Sequence, residues 1–352
     1  MPDDDNLLQF LDDDLRAELE QWGRHGPGAG VMRDIILEKQ RKRQARREMT
    51  PVRRRRDIAR ETLKADMLRD ADRYHIHSVL AMCGLPYRRP DDGAVEYIQR
   101  YGKNSLVVAA GRLQDPESGQ MVRPGLPYGP KARLMMLHIC TEALRSGSPE
   151  IHVGDSMSAF IRELGFPVSG GKNGTISLFK EQINRLAAAH MTIGLWDGEH
   201  GLTLNSKPIE EFSIWFPKNP NQRVLWPSRL VLEDKFFKSL KRHALPVDIR
   251  VLRTFANSAR QIDIILWLAY RLKQVNRPYM LTWETLREQF GSGIAEGFKF
   301  KQSFKSDFAA ISEVFPKLPA KLGDKGLQLF PADPKDLFIP PRKAKPKQIR
   351  SV

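Results

Sequence analysis

The sequence predicts an α+β chain of two tandem winged-helix domains with charged, disordered segments at both ends. Three observations carry that expectation. An order of helix, short strand, helix, turn, helix and hairpin is legible twice, once from Pro127 and again from Ala259. The outermost segments are too highly charged to bury a core of their own. Finally, 57 Lys and Arg stand against 42 Asp and Glu, a formal net charge of +15 that selects a polyanion as partner.

Composition excludes several classes. At 352 residues and 41% hydrophobic content the chain is long enough for two domains, each with its own core. It contains no apolar run of about 18 residues, and the opening MPDDDNLLQF is acidic where a signal peptide is basic and then apolar. A cytoplasmic protein with no membrane partner is expected. Cys83 and Cys140 are the only cysteines, which excludes a disulfide framework and a Cys-rich zinc site and leaves two small buried hydrophobes. No cofactor and no metal are expected.

Residues 1–62 form an acidic and then a basic N-terminal segment. DDDNLLQFLDDDLRAELE is followed by KQRKRQARREMTPVRRRR, in which Glu48 is the only acid. Arg53, Arg54, Arg55 and Arg56 are expected to touch phosphates without reading sequence. Leu7, Leu8, Leu11 and Leu15 fall at helical spacing, suited either to a partner protein or to folding back on the basic run. Residues 63–122 are a mixed lead-in packing on the first domain, with NSLVVAAGRL as a strand. Within it, His75-Ile76-His77 upstream of Tyr97 and Tyr101 has the outline of a metal-dependent nicking site, but a third ligand is missing and plain packing accounts for both histidines.

The first winged-helix domain is placed at 123–217. PYGPKARLMMLHICTEALRSGS has Pro130 in its first turn and an apolar stripe of Leu134, Leu137, Cys140, Ala143 and Leu144. EIHV is extended, and Asp155 or Ser156 caps the helix MSAFIREL. After the loop GFPVSGGKNGT, a helix opened by Asn173 or Thr175 buries Ile176, Phe179, Ile183 and Leu186. A hairpin turns at Asp197-Gly198. The second domain, 224–333, repeats the order: a helix at 259–273, extended PYML, a short helix capped by Thr282, a helix burying Phe300, Phe304, Phe308 and Ile311, and a hairpin turning between Asp324 and Gly326. Residues 334–352 are a basic tail. Trp196, Trp215, Phe216, Phe236, Phe237, Trp267 and Trp283 are read as core.

The loop before the first domain's last helix is not a nucleotide cradle. A phosphate-binding P-loop needs Gly, four residues, then Gly-Lys-Ser/Thr, whereas here Lys172 precedes Asn173 and Phe166 stands where the first Gly belongs. What remains is a cationic entrance to a helix, suited to a DNA phosphate. Lys172, Asn173, Gly174 and Thr175 are placed at that mouth. Ser177, Glu181 and Arg185 lie opposite the apolar stripe with Gln182 at its flank, and Leu178 suits a thymine methyl. In the second domain Lys299, Gln302, Lys305 and Ser306 share the outward face, and Lys301 borders it.

The stretch GLPYGPKARLMMLHICTEALRSGSPEIHVGDSMSAFIRELGFPVSGGKNGTISLFKEQINRLAAAHMTIGLWDG resembles the central block of the plasmid-encoded RepA replication initiators. AMCGLPYRRP, LWPS, RHALPVDIRVLRTFANSARQIDIILWLAYRL and VFPKLPA match as well, so that the likeness runs from about residue 75 to 335. The resemblance implies a bacterial plasmid protein, and not an enzyme. Such a protein binds double-stranded DNA with direct repeats at an origin, helps to open it and recruits host replication proteins, with a homodimer as a further partner state. The alternatives are a sequence-specific transcriptional regulator or the nicking enzyme outlined above.

Overall fold

The acidic and basic runs at the N-terminus find each other. The computed structural model describes residues 10–332 apart from 23–28, 66–67, 116–117, 153, 165, 172–173, 197–198 and 214–228. The chain divides into two compact units, Met1–Ile58 and Ala59–Val352. The first holds α1 (Asp13–Trp22), α2 (Ala29–Glu48) and the start of α3 (Pro51–Ala65). Lys39, Arg43 and Arg47 stand four residues apart on one face of α2. Lys39 meets Glu18 at 2.6 Å, Arg43 forks onto Asp14 with two bonds of 2.7 Å, and Arg47 reaches Asp12 at 2.9 and 3.0 Å. Beneath these pairs Leu11, Leu15 and Ile36 form a small core. The disorder expected over residues 1–62 is therefore corrected for the described helices, because matched charge spacing supplements an apolar area that is small by itself. Of the two roles open to the leucines, Leu11 and Leu15 take the fold-back; Leu7 and Leu8 lie outside the described residues.

The second unit begins within α3 and runs through β1 (Arg73–His77), α4 (Ser78–Met82), the hairpin β2 (Glu96–Tyr101) and β3 (Asn104–Ala109), and the pair β4 (Leu113–Gln114) and β5 (Met121–Val122). There follow α5 (Gly129–Ser146), β6 (Glu150–Ile151), α6 (Gly154–Glu163), α7 (Thr175–Ala188), β7 (His190–Trp196), β8 (Gly201–Ser206) and β9 (Ile209–Ser213). The second half comprises β10 (Arg229–Leu232), α8 (Asp234–His243), β11 (Ala244–Asp248), α9 (Ile249–Thr254), α10 (Ala259–Arg271), β12 (Tyr279–Thr282), α11 (Trp283–Phe290), α12 (Gly297–Val314), β13 (Ala320–Gly323) and β14 (Gly326–Leu329). The fold is mixed helix and sheet, and one hydrophobic core runs from Ala59 to Leu329.

Two strands join the halves. β1 pairs antiparallel with β11, from Arg73↔Asp248 to His77↔Ala244, and each strand leads directly into a short helix. The last strand residue caps that helix in both cases: His77 Nδ1 accepts from Val79 N at 3.2 Å and Asp248 Oδ1 from Arg250 N at 2.9 Å. Pro246 is tolerated opposite His75 because His75 turns its N–H toward Thr141 Oγ1, at 2.8 Å, away from the ladder.

The core helices α5 and α10 lie against each other. α5 buries Leu134 through Thr141 without a break, so it is enclosed on all sides and not amphipathic as its predicted stripe suggested. Arg133, the fifth residue of α5, forks onto Asp263, the fifth of α10, at 2.6 and 2.7 Å. Three carbonyls, Leu85, Pro86 and Gly129, take its remaining donors. Burial pushes the Asp263 carboxyl up against the pull of the guanidinium. Gly84 is required beside this pair, since a Cβ there would come within 2.1 Å of Asp263 Oδ2.

Sheet pairing differs between the halves. In the second, β12-β14-β13 is a three-stranded sheet in which the strand between the helices pairs with the hairpin. Gly326 permits this: its φ is +140° and a Cβ would collide with the Leu281 carbonyl of β12. In the first, β7-β8 instead extends the lead-in hairpin as β2-β3-β7-β8, while β6 joins β10 and β9. β10 was expected with the second domain at 224–333 but completes a sheet of the first half. Asp155 and Ser156 fall inside α6, which starts at Gly154, and not at its cap. The caps Ser258 and Thr282 accept from Gln261 N and Thr285 N as their residue types require.

Candidate nucleic-acid interface

α12 presents the clearest cationic surface. Phe300, Phe304, Phe308 and Ile311 are buried in one stripe, and the helix is thereby fixed with Lys299, Lys301, Gln302, Lys305 and Ser306 exposed. All four predicted second-domain site residues, Lys299, Lys301, Gln302 and Lys305, are on this open face. Lys299 bonds Glu296 at 2.8 Å. Lys301 and Lys305 place their ammonium groups 5.6 and 5.9 Å from the centre of the Trp283 ring. The same indole donates to the Asp324 carbonyl at 2.8 Å, which ties the first residue of α11 to the β13–β14 turn. Trp283 thus holds two exposed lysines of α12 beside a hairpin that carries exposed Lys321 and Lys325. Glu284 is held below the usual carboxylate range by its own backbone amide, by the Thr282 hydroxyl and by Lys301.

Two residues of this surface escaped the sequence reading. Phe298 is 76% exposed, and Arg287 lines the groove between α11 and α12 and donates to the Ala295 carbonyl. Phe298 lies about 200° from Phe300 on a helical wheel, a signal that would have placed it outward.

The first half departs from expectation. Arg185, expected opposite the apolar stripe of α7, and Gln182, expected at its flank, are 6% and 3% exposed. Residues 125–128, at the start of the first domain's span, cover that side. Tyr128 N donates to Gln182 Oε1 at 2.9 Å, Arg185 Nη1 reaches the Leu126 carbonyl at 3.1 Å, and the Arg185 guanidinium lies 5.1 Å from the Tyr128 ring centre. Glu181 pairs with Arg185 at 2.9 Å. The two base-reading assignments are corrected to structural ones.

The mouth of α7 is also occupied. Thr175 N donates to Ser169 Oγ at 3.1 Å, Ile176 N to the Ser169 carbonyl at 3.1 Å, and Gly174 N to the Gly171 carbonyl at 3.1 Å. The Ser177 hydroxyl donates to the Gly171 carbonyl. A Cβ on Gly174 would meet the Gly170 carbonyl at 2.2 Å. The glycine-rich loop therefore caps its own helix, and the amides of Gly174, Thr175 and Ile176 expected to hold a phosphate are taken. Lys172 and Asn173 lie outside the described residues. Leu178 in the first turn is 39% exposed, and burial pulls Lys180 below the usual lysine range.

Among the N-terminal arginines, Arg53 and Arg55 are exposed. Arg54 instead donates to the carbonyls of Arg46, Arg47 and Met49 at 2.7, 3.2 and 3.3 Å and so closes the end of α2, while half-buried Arg56 is already engaged. The histidine pair does not converge with the tyrosines. His77 is fully buried with Nε2 3.0 Å from Ser239 Oγ, and Tyr97 donates to Gln99 at 3.0 Å. Among the described residues, no group of three or more His, Cys, Asp or Glu is placed to hold a metal, and no helix is long and apolar enough to cross a membrane. Cys83 and Cys140 are buried, with thiols pushed up to about 12 by desolvation. Phe236, Phe237, Trp267 and Trp283 are core, whereas Trp196 is 37% exposed beneath Lys103; Trp215 and Phe216 lie outside the described residues.

The fold is mixed helix and sheet, and its second half raises a lysine-bearing helix beside a lysine-bearing hairpin. Residues 126–285 match the family described as plasmid encoded RepA protein, and that match places the central region of the chain in the RepA replication initiator family. It spans α5 through the start of α11 and ends before α12. No curated protein and no solved structure matches the chain.

Proposed function

We propose that the chain is a plasmid replication initiator that binds repeated duplex DNA at its origin through two winged helices, 123–217 and 224–333, with β7–β8 and β13–β14 as the wings. The observation that carries this reading is the open face of α12, with Lys299, Lys301, Gln302 and Lys305 exposed between a turn and a hairpin. Lysines there suit phosphates, and Gln302 suits the donor and acceptor edge of adenine. The RepA match supplies the replication context. In the first half the accessible part of α7 is its first turn, so that half approaches DNA end-on through Leu178 and the loop ahead of it. Lys172 and Asn173 in that loop, and Arg53 and Arg55 in the N-terminal segment, remain assigned to phosphate contact. Host replication proteins, a homodimer and a cytoplasmic location belong to the same proposal, which invokes no catalytic residue.

Footprinting on the plasmid origin tests it. Protection of about two helical turns of directly repeated DNA is expected, because paired modules reach successive major grooves. Protection of a single turn counts against joint binding. A transcriptional regulator built from the same modules would protect its operator without supporting plasmid maintenance. Placing the gene with its flanking DNA on a replicon that lacks an origin, and counting colonies, separates the two.

A further inference from the structure

Each half leaves one large apolar side chain in water in the first turn of its last helix before the hairpin: Leu178 on α7 and Phe298 on α12. Phe298 is the more exposed, at 76%, on a helix that otherwise buries Phe300, Phe304 and Phe308. It heads the outward row of that helix, with Lys301, Gln302 and Lys305 following at three, four and seven residues, all exposed. On α7 the corresponding row passes under residues 125–128 at Gln182 and Arg185, so that only its beginning at Leu178 is open.

An exposed phenylalanine forgoes about 1.5–3 kcal/mol of burial, which a partner covering it would recover. The chemistry around Phe298 selects the partner. Charged residues are depleted at the centres of protein–protein interfaces, yet Arg287 and Lys301 line the same groove as this side chain, together with Glu284 and Glu288, and Lys299, paired with Glu296, is its neighbour on the helix. Flanking cations and a central apolar group instead match the major groove, where phosphates line the rim and the only apolar group on the base edges is the thymine C5 methyl. The first turn of a recognition helix is also the part that reaches the bases.

We infer that Phe298 and Leu178 are specificity-determining residues, each packing on the methyl of one thymine in successive major grooves. This deepens the duplex-binding reading and rests on it. The test is equilibrium binding by fluorescence anisotropy to the duplex recovered by footprinting, with each thymine replaced singly by deoxyuridine, which removes only the methyl. The wild-type chain loses about fourfold in affinity, the burial of one methyl, at two thymines roughly one turn apart. Phe298→Ala becomes indifferent to one substitution and Leu178→Ala to the other, while Phe298→Leu keeps the sensitivity. A chain that prefers the repeat over random duplex but ignores deoxyuridine everywhere, or variants that retain the wild-type pattern, overturn this inference alone. A chain that binds repeat and random duplex equally overturns the proposed function, and this inference with it.

Discussion

Removing one charge of the Arg133–Asp263 pair tests how the two halves are locked together. Both side chains are buried, at 3% and 6% exposure, and they join the core helices at equivalent positions. Asp263→Asn leaves the guanidinium in place with three backbone carbonyls but no counter-charge. An uncompensated buried charge costs about 3–5 kcal/mol, and the two short bonds at 2.6 and 2.7 Å place this pair within that range. Arg133→Met should cost a similar amount, since it strands the carboxylate. The double variant Arg133→Met/Asp263→Leu removes both charges. It should cost no more than either single change, a coupling of at least about 3 kcal/mol. Urea denaturation of the four proteins, followed by tryptophan fluorescence, reads the cycle, because Trp267 on α10 is fully buried. A cost below about 1 kcal/mol for Asp263→Asn, or strict additivity, would refute a closed ion pair.

Acid should unfold the second unit through two histidines. Burial pulls both His77 and His138 down to about 3, against about 6.5 in an unfolded chain. Protonation therefore favours the unfolded state: stability is complete above pH 6.5 and falls by about 1.4 kcal/mol per histidine for each pH unit below it. Thermal melts from pH 7.5 to 4.5 check this, and His77→Gln should flatten the dependence by about half; a profile flat from 6.5 to 5 contradicts it. Arg185→Ala should lower stability by about 1–3 kcal/mol through the Leu126 carbonyl and Glu181, leaving base preference unchanged; denaturation and binding to altered sites separate the two effects, and a lost preference at one base position would restore the outward assignment. Lys301→Ala, and separately Lys305→Ala, should weaken binding to specific and random duplex alike and reduce the slope of log K against log salt by about one unit. An unchanged slope in both would remove α12 from the phosphate contacts.

The second half was legible in considerable detail from residue types alone. The four-residue recurrence of Phe300, Phe304 and Phe308 is enough to turn Lys301, Gln302 and Lys305 outward, because among the described residues no other segment buries that side of α12. The caps at Ser258 and Thr282 are equally local, each oxygen acting three residues away. Glycine and lysine in GGKNGT, by contrast, admit either an anion cradle or a self-closing turn. Only coordinates show Ser169 and Gly171 taking the amides at the start of α7.

Within the two repeated units the sequence by itself determined the order of helix and hairpin, and over the whole chain the charge that calls for a polyanion, since these follow from periods of two to four residues and from composition. Tertiary structure alone decided which faces stay open. Gln182 and Arg185 are polar and sit away from the apolar stripe, yet a loop more than 50 residues earlier covers them. Strand partners β6 with β10 and β3 with β7 are likewise chosen across long separations. The physical reason is common to both. A helical period reports where a segment's own apolar groups point, but exposure depends on every other segment that reaches the same surface, and those contacts leave no local periodic trace.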